Sequence, residues 1–125
     1  MLKSAWLIAS GLALITVMTL AVSRKTDELD PLKVAPDTHK LLFENRFLRV
    51  IEAKVPAGGQ EPRHSHPHGL TVYLADYDVE IKTIPDDKLT RARRKFGTVS
   101  WSEAVVHEVR NVGESDSHAI RVELK

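Results

Sequence analysis

From residue 39 onward, the chain is a series of short segments in which apolar and polar residues alternate, separated by turn-forming residues. An alternation with a period of two is typical of β-strands that bury one face. The expected strands are 41–44, 46–55, 70–75, 78–83, 98–101, 105–112 and 118–124. Because these strands are short and closely spaced, and because no segment after residue 25 has the period of a long helix, we predict an all-β sandwich or barrel.

The alternation also predicts which side chains share a face. The even-numbered residues from His118 to Leu124 form the more apolar face of the last strand, and we expect that face to point into the barrel. In the preceding strand, Val105, His107 and Val109 share an apolar face. His107 is therefore expected to point inward.

Residues 89–96 fit either a helical turn or an exposed strand. They include a basic cluster, namely Arg91, Arg93, Arg94 and Lys95. A patch that binds phosphate or nucleic acid is one interpretation. We favour a solvated edge strand whose charges prevent pairing with other chains.

The N-terminus has a different pattern, because the run from residue 4 to residue 23 carries no charge and is followed by Arg24 and Lys25. Its length is close to the ~20 residues that span a bilayer. We therefore expect residues 1–23 to form a hydrophobic helix, either a cleaved signal peptide or a membrane anchor. Both interpretations predict an exported domain, periplasmic or secreted, and residues 4–23 would tether an uncleaved chain to the membrane. The charged segment 24–38 is expected to be a linker or extended arm, followed by the barrel domain at 39–125.

Composition narrows the chemistry. The chain has 125 residues and a formal net charge of +1, so its global charge does not indicate a nucleic-acid partner. It has no cysteine. Disulfides, thiolate ligands and a cysteine nucleophile are thereby excluded, and any metal must bind nitrogen or oxygen ligands.

The histidines are the strongest candidates for such ligands. His64 and His66 are two residues apart, so on a strand they would point to the same side with Cα atoms about 6.5 Å apart. Two imidazoles in that position can reach one ion at ~2.1 Å. His107 is the candidate third ligand, whereas His39 has no partner at metal-binding spacing. A solvated loop at 64–68 and a structural role for His107 in the core are the alternatives.

Five segments resemble conserved parts of the cupins. Residues 45–50, 55–59 and 62–67 together are similar to the first cupin motif, and residues 101–113 are similar to the second. The closing Arg-Val-Glu-Leu at 121–124 resembles the last strand of small single-domain cupins. The resemblance implies a small antiparallel, jelly-roll-like β-barrel of six to eight strands that holds a metal inside.

The chain departs from the cupin pattern at one ligand position. Leu70 and Thr71 stand where the first motif usually supplies a glutamate. The resemblance therefore implies a three-histidine site of His64, His66 and His107, as in some thiol and diketone dioxygenases of this fold. His68 is a candidate fourth ligand.

The leading hypothesis is an exported metal-binding protein whose divalent ion is Fe, Ni, Cu, Zn, Co or Mn. If it is an enzyme, a dioxygenase or an isomerase of a small molecule would fit. A non-catalytic module that binds a small molecule or a metal is the alternative, and a structural protein that acts through its surface is a third. We expect no nucleic-acid partner, contact with a membrane only through the N-terminal segment, and potential homodimer formation.

Overall fold

The computed structural model describes residues 28–125, so the predicted hydrophobic helix at 1–23 lies outside the described residues. Within the described part, no helix has the length and apolar character needed to cross a bilayer. The elements are helix α1 (Pro31–Val34) and strands β1 (His39–Glu44), β2 (Leu48–Val55), β3 (Gln60–His66), β4 (Gly69–Tyr73), β5 (Tyr77–Ile84), β6 (Lys88–Arg94), β7 (Val99–Ser102), β8 (Val105–Asn111) and β9 (Ser117–Leu124). The prediction of an all-β domain is confirmed.

The strands form two antiparallel sheets that face each other. The five-stranded sheet has the order β1-β2-β9-β4-β7, and the four-stranded sheet has the order β3-β8-β5-β6. Consecutive strands often lie in different sheets, as β2 and β3 do, so the chain crosses repeatedly between the two walls of one barrel. Segment 89–96 overlaps β6, which is an edge strand, as its charges indicated.

Arg91 and Arg93 of β6 have an acidic partner, Asp78, on the neighbouring strand β5. Arg91 donates two hydrogen bonds to the Asp78 carboxylate on β5, at 2.7 and 2.8 Å. Lys95, just beyond the strand, lies 2.6 Å from an oxygen of Asp76. The cluster therefore serves in part to hold the β5–β6 hairpin together.

The prediction for the inner face of β9 is wrong. Ser117, Ala119, Arg121 and Glu123 are buried, whereas the alternate residues that begin at His118 are only partly buried. The more apolar face lies outside, where a row of apolar side chains crosses all five strands: Phe43, Val50, Val122, Leu70 and Trp101. His118 belongs to this outer face, where its Nε2 lies 2.8 Å from Glu52.

The barrel interior contains an unusual share of polar side chains. Ile51, Val79 and Val109 form part of a small apolar core. The buried polar or charged residues are His39, Glu61, His64, Ser65, His66, Asn111, Ser117, Arg121 and Glu123. Burying such groups costs free energy unless they are paired, so an interior of this kind indicates a binding site more than a packing core.

The segment before the barrel packs against it. Asp30 caps α1 by accepting a hydrogen bond from the Leu32 N–H at 3.0 Å, and Pro31 begins the helix with its fixed backbone angle. The Ser65 N–H on β3 donates to the carbonyl of Leu29 at 2.8 Å. The described part of the expected linker, residues 28–38, therefore covers β3, the strand that carries the histidine pair.

Gly69 allows the close approach of β4 and β9. A Cβ at this position would lie 2.0 Å from the backbone oxygen of Val122. No side chain fits at that distance, so the glycine is required for the strand pairing that follows the histidine-rich segment.

Candidate metal centre

Strand β3 brings His64 and His66 to the inner side of the barrel. Both are buried, and their ring centroids lie 4.8 Å apart. A β-bulge precedes them, because Glu61 pairs with Val109 and His64 pairs with His107, so that two residues oppose one. The bulge shifts the alternation by one residue. As a result Glu61 faces the same interior as both histidines.

His107 faces inward from β8, as its alternation predicted. It is the cross-strand partner of His64, and the two Nε2 atoms lie 3.0 Å apart. Its ring centroid is 5.3 Å from that of His66. The structure thus brings together the three histidines that the sequence singled out as ligands.

His39 joins them, and the prediction that it has no partner at metal-binding spacing is wrong. It begins β1, where it pairs with Ala53, and its buried ring lies 5.1 Å from that of His64 and 5.8 Å from that of His66. Single ligand atoms of His39, His64 and His66 all lie within 4.8 Å of one another. This contact joins opposite sheets, so spacing along the chain does not reveal it.

His68 does not join the cluster. The strand is interrupted after His66, and the His68 side chain is exposed and stacks on Trp101 with a centroid distance of 5.8 Å. The candidate fourth ligand from the sequence therefore points to the outer surface. His39 occupies the interior position instead.

Glu123 orients His66. The Glu123 carboxylate, 1% exposed, accepts a hydrogen bond from Nδ1 of His66 at 2.5 Å and is paired with the Arg49 guanidinium. Arg49 in turn donates to Asp30 at 2.8 Å. A carboxylate can only accept, so the His66 proton resides on Nδ1 and its Nε2 keeps a free lone pair. This arrangement is the one by which acidic residues orient metal-binding histidines.

A backbone carbonyl has the same effect on His64. Its Nδ1 lies 2.7 Å from the oxygen of Pro62, so Nδ1 donates and Nε2 has the free lone pair. Nearby, Glu61 places Oε2 4.0 Å from that Nε2 and Oε1 3.5 Å from Nδ1 of His39. Acceptor atoms of Glu61 and His64 therefore lie close to the space between the histidines.

Burial keeps all four imidazoles neutral. By disfavouring the charged form, it lowers the pKa of His39 to about 4 and that of His107 to about 2. It also lowers the pKa of His64 and holds the pKa of His66 well below its usual value. Neutral imidazole is the form that binds metal. Burial raises the pKa of Glu61 to about 7.

A divalent transition metal fits this donor set. Nitrogens bound tetrahedrally at ~2.0–2.1 Å lie roughly 3.4 Å apart, close to the 3.0 Å between the Nε2 atoms of His64 and His107. Imidazole ligands suit Fe, Ni, Cu, Zn or Co rather than Mg or Ca. The four rings border a cavity of about 460 Å³ between the sheets, which leaves space for a small molecule beside an ion.

Sequence reasoning missed the acidic and basic residues of this interior. Glu123 and Arg121 stand on the face of β9 that begins with Ser117 and Ala119. Those two small residues are the one signal in the sequence that this face is the crowded, inner one. For Glu61 no local signal exists, because the bulge moves it to the inner side.

Comparison with solved structures identifies the fold. A cupin domain from Bordetella pertussis Tohama I has a TM-score of 0.64 and 21% identity, covering 70% of this chain and 91% of that chain. An uncharacterized conserved protein with a double-stranded β-helix domain from Klebsiella pneumoniae has a TM-score of 0.55 and 16% identity, covering 79% and 85%. An RmlC-like cupin family protein from Methanocaldococcus jannaschii has a TM-score of 0.53 and 14% identity, covering 70% and 80%.

By sequence, the chain matches no protein-family model and no curated protein. At identities of 21% and below, the structural likeness shows the fold alone. The described residues form a small, single-domain cupin-type β-barrel, which confirms the fold that the two sequence motifs indicated. A buried cluster of histidines inside such a barrel is consistent with a metal-binding cupin.

Proposed function

We propose that this protein binds a divalent transition metal inside the barrel through His39, His64, His66 and His107. The observation that carries the proposal is the convergence of neutral imidazoles from both sheets. His39, His64 and His66 are buried with ligand atoms within 4.8 Å of one another, and the half-buried His107 lies beside His64 with 3.0 Å between their Nε2 atoms. Nδ1 of His64 and of His66 is held by a hydrogen bond to an oxygen. Nε2 of His64 lies 3.0 Å from Nε2 of His107, a separation that suits a hydrogen bond between the two rings and is also close to that of two ligands on one ion.

The surrounding residues are arranged to support such a site. Glu123 holds the proton of His66 on Nδ1, and the Pro62 carbonyl does the same for His64. Glu61 adds a carboxylate at the edge of the cluster, with Oε2 4.0 Å from Nε2 of His64. A bound divalent ion with a free coordination position would act as a Lewis acid or activate O2.

If the protein is an enzyme, a dioxygenase or isomerase acting on a small molecule suits this site. The cavity beside the histidines is large enough for such a substrate, and Glu61, with a pKa raised to about 7, is able to accept or donate a proton near neutral pH. The alternative is a non-catalytic module that binds a metal or a small molecule. A metal-loaded protein that shows no oxygen uptake and no turnover with candidate substrates favours this alternative.

We also propose that the domain is exported and that residues 4–23 direct it to the membrane. The support is the charge-free run of that segment and the basic residues on both sides of it.

The metal content of the full-length chain, measured by inductively coupled plasma mass spectrometry, tests the proposed function. We expect near-stoichiometric metal in the wild type, and at least tenfold less in His64→Ala and His107→Ala. His68→Ala and His118→Ala are matched controls, because both side chains lie on the outer surface, and both variants should retain the metal. A wild-type protein that neither carries metal nor binds added Zn²⁺, Co²⁺ or Fe²⁺ would overturn the proposal.

A further inference from the structure

Arg121 lies in the centre of β9 with its side chain inside the barrel, 7% exposed. Its guanidinium donates to three neutral oxygens: Thr71 Oγ1 at 3.1 Å, Ser102 Oγ at 2.6 Å and the Pro67 carbonyl at 2.6 Å. These contacts join β9 to β4, to β7 and to the loop after the histidine pair. They hold the guanidinium in one orientation.

The contacts leave the guanidinium without a direct counter-ion. Two of its five N–H donors, on Nε and Nη2, have no acceptor among the described residues, and Nε is buried. The neighbouring carboxylate on the same face, Glu123, is already committed to Arg49 and His66. Arginine stays charged in proteins, and an unpaired buried charge costs several kcal/mol. Arg121 is therefore a buried cation that no carboxylate among the described residues contacts directly.

Arg121 borders the same cavity as the histidine cluster. Burial is the main cause of the lowered pKa values of His66 and His107, and the positive charge of Arg121 is a further cause. The guanidinium therefore lies near both rings. Neutral imidazole ligands would not reduce the charge of a bound divalent ion, and the Glu61 carboxylate at the edge of the cluster would offset part of that charge. With Arg121 beside it, the cavity would attract an anionic ligand.

We propose that the cavity binds a small organic acid, with its carboxylate on the guanidinium of Arg121 and its remaining atoms directed towards the histidine cluster. The planar fork of arginine matches a carboxylate, and the apolar part of the lining, which includes Val55, Ile81 and Val109, suits a short carbon body. The direction of the ligand towards the metal depends on the proposed function. The carboxylate contact itself does not.

Isothermal titration calorimetry with acetate, pyruvate and malonate tests this inference. The full-length chain is titrated twice, once after metal chelation and once after reloading with Zn²⁺. We expect at least one acid to bind the wild type in both forms, and more tightly with Zn²⁺. Arg121→Gln should weaken that binding at least tenfold, and Arg121→Lys should fall between, because lysine keeps the charge but lacks the fork.

Arg110→Gln is the matched control, because Arg110 is an exposed arginine on β8, and it should bind like the wild type. Circular dichroism spectra show whether each variant is folded. If Arg121→Gln is unfolded, the affinity of Arg121→Lys for the acid decides whether Arg121 binds the carboxylate. The inference is overturned if none of the acids binds the wild type, if the Arg121 variants bind as the wild type does, or if neutral malonamide binds as tightly as malonate. A protein that takes up no Zn²⁺ but binds an acid through Arg121 refutes the proposed metal site while supporting the carboxylate contact.

Discussion

Replacing Glu123 by glutamine separates the role of this residue from that of the histidines it supports. The side chain keeps its size, but one carboxylate oxygen becomes an NH2 group. If that group faces Arg49, two donors oppose each other and the buried ion pair is lost. If it faces His66, the imidazole proton must move from Nδ1 to Nε2, the nitrogen that we assign to the metal.

Each orientation removes one of two charge-assisted hydrogen bonds of a residue that is 1% exposed. Loss of a supporting partner of this kind typically reduces metal affinity about 10- to 100-fold, which corresponds to about 1.4–2.7 kcal/mol. Arg49 retains Asp30 as a partner at 2.8 Å. We therefore expect the variant to fold, with a decrease of about 2 kcal/mol in the free energy of unfolding.

The assay is competitive Zn²⁺ titration against a chromophoric chelator, together with urea denaturation of the metal-free protein. Glu52→Gln is the matched control, because Glu52 also pairs with a histidine, His118, at 2.8 Å but on the outer face. It should leave the Kd for Zn²⁺ unchanged. A folded Glu123→Gln protein whose Kd lies within twofold of the wild type would refute the assigned role of Glu123.

Three other outcomes are expected. His39→Ala should weaken Zn²⁺ binding at least tenfold in the same titration, and an unchanged Kd would remove His39 from the site. In metal-free protein, burial lowers the pKa of His39 to about 4 and that of His107 to about 2, from an ordinary value of 6.5. The unfolded chain therefore binds more protons in acid. The contribution of each such histidine to stability should be fully present above about pH 7 and should decrease below pH 6.5 by about 1.4 kcal/mol per pH unit. Burial raises the pKa of Glu61 from 4.5 to about 7, so between these pH values the folded protein binds this proton more readily, and the gain in stability should offset the loss from one histidine. Urea denaturation from pH 7.5 to 5 measures the net change in the free energy of unfolding. A free energy of unfolding that increases on acidification would contradict this prediction. Gly69→Ala should cost about 3 kcal/mol or prevent folding, because its Cβ would lie 2.0 Å from the Val122 oxygen, and a thermal midpoint equal to that of the wild type would contradict that contact.

Local patterns in the sequence were sufficient to predict most strands. The strand at 60–66 was not predicted, and His64 and His66 were expected on one side only if they lie on a strand. Residues two apart on a regular strand share a face whatever the rest of the chain does, so that expectation needed no knowledge of tertiary structure. His107 was correctly turned inward by a second rule, which places the more apolar face of a strand inside.

What the alternation could not decide was which face of a strand lies inside. On β9 the more apolar face is outside, and the interior receives Arg121 and Glu123. A rule that places apolar residues inside fails here because the buried face of this strand carries charged side chains that are held by hydrogen bonds to other interior groups.

The complete histidine cluster was likewise decided only by the tertiary structure. His39 reaches His64 across the barrel because β1 lies in one sheet and β3 in the other, and Glu61 reaches the same space because a bulge shifts the alternation of β3. His68 is lost from the cluster because the strand ends after His66. The sequence determined which side chains share a strand face, since that depends on backbone geometry alone, whereas sheet order, register and the bulge determined which of them meet.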